Sequence, residues 1–230
     1  MSTLPEADLN ERFAAFKRTH GIHHVIAFSG GAEASLPGLP EKDPLQEHYA
    51  TFQNSRDERL VADALDILKH YRIAVLTGGT RFGFPLTAVA AAQERNLKTI
   101  GVFPQYAQQK GHVVDGLDLT VCVEPLFGSS QFGDESSVFA KLLDAVVVCA
   151  GGAGTLIEIS HILKMNEMLA KQQQPVKLVV PVHGTGRVAD GLPFLWGKQE
   201  IKNACMPIKP VYTGFEAAKF IESRIDLFNV

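Results

Sequence analysis

The stretch VVVCAGGAGTLIEIS, residues 146–160, changes character at its middle: a run of small apolar residues stops at two glycines and resumes with a helical pattern. An apolar run ending in glycine predicts a buried parallel strand, and the Thr155-x-x-Glu158 that follows predicts the first turn of a helix. Strand, glycine loop and helix N-terminus together make an anion-binding unit, because glycine N–H groups and the helix dipole converge on negative charge. Thr-x-x-Glu is also the signature of a capping box, in which both side chains only satisfy helix amides. Both readings stay open on these residues alone.

Outward from this junction, continuous apolar runs alternate with amphipathic stretches, the mark of a parallel sheet covered by helices on both faces. Strands are expected at 24–28, 73–76, 99–103, 119–123, 145–149 and 178–182, and helices at about 9–18, 59–69, 86–95, 136–142, 156–170 and 215–225. The fold class is therefore α/β, a doubly wound, mostly parallel, Rossmann-like sheet. Residues 1–230 are expected to form a single domain, with 1–20 as a helical extension. Two long loops, 30–55 and 183–201, are candidates for function, since long loops in compact domains often carry it.

Composition narrows the function classes. The chain has 22 Lys+Arg against 25 Asp+Glu, a net charge of −3, and so lacks the basic excess of a nucleic-acid binder. A small-molecule partner is expected. Cys122, Cys149 and Cys205 are an odd set that does not suggest a disulfide framework, and no apolar run has membrane-spanning length. These features predict a cytoplasmic protein with no membrane partner. No metal site is expected, because His20, His23 and His24 cluster without Cys or carboxylate at ligand spacing, and no cofactor is called for.

In open parallel sheets ligands bind beyond the carboxyl ends of the strands. Glycine is concentrated there: Gly30 after the first strand, Gly78, Gly79, Thr80 and Gly83 after the second, Gly151, Gly152, Gly154 and Thr155 after the fifth. Several such loops at one edge point to a phosphate-bearing ligand. Neither a P-loop nor the G-x-G-x-x-G dinucleotide fingerprint is present. Arg81 in the second loop is a candidate cation, with Arg187 a poorer one. His183, at a strand's carboxyl end, is a candidate acid for a leaving group, with a structural histidine as the alternative.

The segment Gly151-Gly152-Ala153-Gly154-Thr155-Leu156-Ile157-Glu158 resembles the G-G-x-G-T-x-x-E motif of the lonely-guy (LOG) family, nucleotide phosphoribohydrolases long misnamed lysine decarboxylases. VLTGGTRFGFPLTAVAAAQERNLKTIGVFP is similar to that family's second-strand segment, and order and spacing hold from about Val25 to Ala170. The resemblance implies a homodimer that cleaves the N-glycosidic bond of a nucleoside 5′-monophosphate. It implies phosphate held by the loop ending at Thr155, and Glu158 beside the sugar, stabilising positive charge and orienting water. The same superfamily contains molybdenum-cofactor carriers and sensor domains, so a non-catalytic carrier or sensor of a phosphorylated ligand is the alternative. Two departures stand out: Glu135 and Ser136 occupy the positions of the family's Arg-Lys pair, and Ala150 replaces the proline that opens the motif.

Overall fold

The computed structural model describes residues 6–31, 40, 43–195 and 198–225. Residues 1–5 of the expected extension, and 32–39, 41–42 and 196–197 of the two long loops, lie outside this set. Among the described residues six strands form one sheet: β1 (His24–Gly30), β2 (Ile73–Thr77), β3 (Lys98–Pro104), β4 (Leu119–Val123), β5 (Ala145–Cys149) and β6 (Leu178–Pro181). The order is β4-β3-β2-β1-β5-β6, and every pairing is parallel. Around it pack α1 (Glu6–His20), α2 (Pro44–Leu68), α3 (Gly83–Glu94), α4 (Gln105–Gln109), α5 (Ser136–Leu142), α6 (Ala153–Lys171), α7 (Arg187–Leu195), α8 (Gln199–Cys205) and α9 (Gly214–Glu222).

Strand residues alternate between two apolar layers, as the two-residue period of a strand requires. Ile26, Phe28, Val75, Val147 and Val180 pack with α2, α3 and α9. Val25, Ala27, Leu76, Val146, Val148 and Val179 pack with Phe16 of α1 and with α5, α6, α7 and α8. Because both faces are covered, the strands read as unbroken apolar runs. Each large side chain buried this way contributes about 1.5–3 kcal/mol.

Polar side chains hold the layers in register. Asn166 of α6, 0% exposed, accepts from Lys177 N and donates to Lys177 O, both at 2.8 Å, which ties the helix to the start of β6. Asp144 accepts from Val25 N at 2.8 Å and joins the entry of β5 to β1. At Gly214 an added Cβ would lie 1.8 Å from Leu60 O, so α9 meets α2 at backbone contact.

The structure departs from the sequence reading chiefly in the long loops. The helix expected at 59–69 begins fifteen residues earlier, at Pro44, where Asp43 accepts from Leu45 N at 2.8 Å as N-cap. Of its segment 44–58 only Gln53 is buried, so no apolar stripe revealed it. Helices α7 and α8 occupy much of the second loop, and α6 starts at Ala153 rather than 156.

Candidate functional site

β1 is flanked by β2 on one side and β5 on the other, and the chain connects outward from it in both directions. The chain therefore runs from β1 to α2 on one face and from β5 to α6 on the other, and a crevice opens at the carboxyl ends of these strands. The β5–α6 loop is built for this place. Ala150 takes φ 49° and Gly151 φ 92°, both left-handed. At Gly151 an added Cβ would lie 2.6 Å from the Thr155 side chain. At Gly152 and Gly154 it would meet no protein atom within 4 Å, so these two glycines leave space open rather than permit packing. Gly152 is the N-cap of α6 and no side chain caps the helix, which leaves its first N–H groups for an anion.

Ala150 also explains the missing proline. Its N–H donates to Thr185 Oγ1 at 2.8 Å, and its carbonyl accepts from Ala189 N at 3.0 Å. Proline has no N–H and cannot reach a positive φ. These bonds tie the glycine loop to the β6–α7 connection and bring Arg187 to the crevice.

The crevice is a cavity of about 440 Å³. Its wall includes Ser29, Gly30, Gly31, Gly78, Thr80, Gly152, Gly154, Thr155 and Glu158 from the sheet edge and α6, with Phe82, His112, Phe132, Glu135 and Arg187 around them. Two buried polar atoms on this wall, Thr80 Oγ1 and His112 Nδ1, have no hydrogen-bond partner, although such atoms are normally satisfied. Glu158, 9% exposed, does not turn back to its helix amides: its Oε2 accepts from the hydroxyl of Ser29 on β1. The capping-box reading of Thr155 and Glu158 is thus overturned. A true capping box exists elsewhere, between Thr213 and Glu216 of α9.

Burial pushes the Glu158 carboxyl up to about 8, against the opposing Ser29 hydrogen bond and aided by the charge of Glu135. At neutral pH it is largely a neutral acid, not the anion the resemblance implied. Glu135, 7% exposed, is also raised, again by burial first; its Oε2 accepts from Gly133 N at 2.8 Å.

The remaining expected residues separate. Gly79 and Gly151 lie off the cavity wall and shape the turns behind it; Gly79 has φ 65°, with its added Cβ 2.8 Å from Phe103. Gly83 lines a smaller adjoining cavity of about 60 Å³ with Gln53 and Asp57 of α2. Arg81 is exposed and off the main wall, because its loop pairs with the chain at His112 through Arg81 N. Arg187, ranked behind it from sequence, is on the wall. His183 is also off it, its ring 6.0 Å from that of Tyr212 and its Nδ1 3.8 Å from Asp190. Among the described residues no group of three or more His, Cys, Asp or Glu is placed to hold a metal, and no helix is long and apolar enough to cross a membrane. His112 and Phe132 escaped sequence reasoning because no motif surrounds them.

These features define a Rossmann-like protein with a glycine-lined cavity at the switch point of its sheet. The chain belongs to the SLOG cluster4 family, which it matches over residues 53–181, more than half its length, in keeping with the LOG-like resemblance. No curated protein matches the sequence. Among solved structures the chain is similar to TM1055, a structural genomics target, at 22% identity and a TM-score of 0.58, covering 87% of this chain and 99% of that one. It is similar to the molybdenum cofactor binding protein of the phototrophic bacterium Rippkaea orientalis at 18% identity and a TM-score of 0.55, covering 88% and 97%. The molybdenum cofactor carrier protein of Chlamydomonas reinhardtii gives 17%, 0.55, and coverage of 88% and 98%. At these identities the likeness is one of fold.

Two predictions follow from the geometry. If the cavity takes a phosphate anion, Arg187→Ala should weaken its binding about tenfold or more by calorimetry, the scale of one lost charged hydrogen bond, while Arg81→Ala changes it less than about twofold. The opposite pattern would return the cation to Arg81. The second concerns the raised Glu158. The folded state holds this proton more tightly than the unfolded chain, so its contribution to stability is full below the ordinary value of 4.5 and lost as pH rises through about 8. Glu158→Gln removes the loss. Thermal melts should show the variant gaining on the wild type by about 3 °C or more between pH 5 and pH 8.5, and a constant difference would contradict the assignment.

Proposed function

We propose that the protein hydrolyses the N-glycosidic bond of a nucleoside 5′-monophosphate, with a homodimer as its assembly. The observation that carries this reading is the position of Glu158. In the second turn of α6 it is held by Ser29 of β1 in the cavity, about one turn beyond the glycine cradle. Phosphate on the free N–H groups at the start of α6 and on Thr155 would place the ribose along the wall towards Glu158. Phe82, Phe132 and His112 offer ring surfaces to a base. In the reaction the C1′–N bond breaks, water oxygen bonds to C1′, and one water proton ends on the base. Carboxyl groups beside the oxocarbenium-like transition state suit such chemistry.

A carrier or sensor is the second reading, and two observations favour it. Glu135 stands where the resembled family has its arginine, and a neutral Glu158 does not repel an anionic ligand. Two of the similar structures are, by name, molybdenum cofactor binding and carrier proteins.

Base release from AMP, GMP, IMP, CMP and UMP separates the two. The hydrolase reading expects release from at least one, with Glu158→Gln retaining affinity and losing kcat about 100-fold or more. Tight binding of one nucleotide with no release from any would reject it and leave the carrier.

A further inference from the structure

Glu135 is the least expected group on the cavity wall. It sits at the N-terminal end of α5, where Gly133 N and its own N–H both bond its carboxylate, and it faces the same cavity as Glu158 of α6. Each of the two raises the question of what a buried carboxyl is for, since burying one without a cation costs several kcal/mol. Neither makes an ion pair among the described residues, and no cation is among the groups that shift either one. The other charged or titratable side chains on the wall are His112 and Arg187, and Asp134 adds repulsion at Glu135. Thr80, 8% exposed and with its hydroxyl unpartnered among the described residues, lines the same wall.

We propose that Glu135 and Glu158 form a catalytic carboxyl pair that shares one proton, Glu158 giving it to the departing base and Glu135 taking one from the attacking water. This rests on the hydrolase reading and names the residues that move its protons. Water oxygen attacks C1′ as its proton passes to ionised Glu135. The C1′–N electron pair goes to the base, which receives the Glu158 proton. Transfer from Glu135 to Glu158 through solvent, after the products leave, restores the pair. The balance closes with water alone as co-reactant. Two carboxyls in one low-dielectric cavity favour this single-proton state, because ionising the second works against the charge of the first. Burial lifts Glu158 to about 8, which makes it the holder of the proton. The charge inversion at position 135 is then a change of mechanism: the family's cation is replaced by a base.

The test compares two isosteric variants, Glu135→Gln and Glu158→Gln, on a nucleotide of the panel above and on para-nitrophenyl riboside 5′-phosphate, whose leaving group needs no proton. Glu158→Gln should lose about 100-fold on the nucleotide and less than about fivefold on the nitrophenyl substrate; Glu135→Gln should lose about 100-fold on both. Equal losses by both variants on both substrates would overturn the division of roles. A carboxyl-labelled NMR titration gives a readout independent of turnover: Glu135→Gln should lower the proton affinity of Glu158 about tenfold, and an unchanged titration would overturn the pair. Failure of the hydrolase reading shows differently, as a wild type that releases no base from either substrate, and it would take the catalytic roles with it. Thermal melts at pH 5 confirm that both variants fold.

Discussion

Strand order constrains everything at the cavity. With β1 central and the chain winding away from it on both sides, the chain leaves β1 for α2 on one face of the sheet and β5 for α6 on the other, and a gap opens at the carboxyl ends between the two strands. That gap receives the uncapped end of a nineteen-residue helix. Residues 152–154 are exposed and no side chain caps α6, so the first N–H groups of the helix bias the crevice towards an anion before any side chain is considered. Ser29 and Glu158 then bridge the crevice from the strand to the helix.

The electrostatics of the cavity are mixed rather than uniformly positive. At one part stands the helix N-terminus with Arg187, at another two carboxyls whose proton affinities are raised by burial. A ligand that satisfies both carries negative charge on one group and develops positive charge, or needs a proton, on another. A nucleotide undergoing glycosidic cleavage has that pattern. A cofactor that is only carried has need of the first part alone, which is why the carboxyl pair bears on the choice between hydrolase and carrier.

Much of this was legible in the sequence, for reasons that differ by element. The strands read correctly because burial on both faces leaves uninterrupted runs such as Val146–Cys149, with no alternation to confuse the period. The glycine loop at 151–154 and Glu158 stand out in the sequence because spacing there is dictated by backbone geometry, and of these Gly152, Gly154 and Glu158 line the cavity. The first half of α2 was not, since its exposed residues carry no apolar stripe and its cap, Asp43-Pro44, is a two-residue signal. Arg187 was ranked below Arg81 because its approach depends on the Ala150–Thr185 hydrogen bond, a contact between residues thirty-five apart in sequence. The capping-box alternative for Thr155 and Glu158 failed for a similar reason: the partner that captures Glu158 lies on β1, 129 residues away. Local patterns report local partners, and this site is assembled from distant ones.

The central claim is that the cradle and the carboxyl pair act on one ligand. A crystal structure with a non-hydrolysable nucleoside 5′-monophosphate analogue measures it most directly. The account predicts phosphate oxygens within about 3 Å of the backbone N–H groups of residues 152–155, with C1′ turned towards Glu158 and Glu135. A phosphate bound elsewhere, or a ribose directed away from both carboxyls, would contradict it.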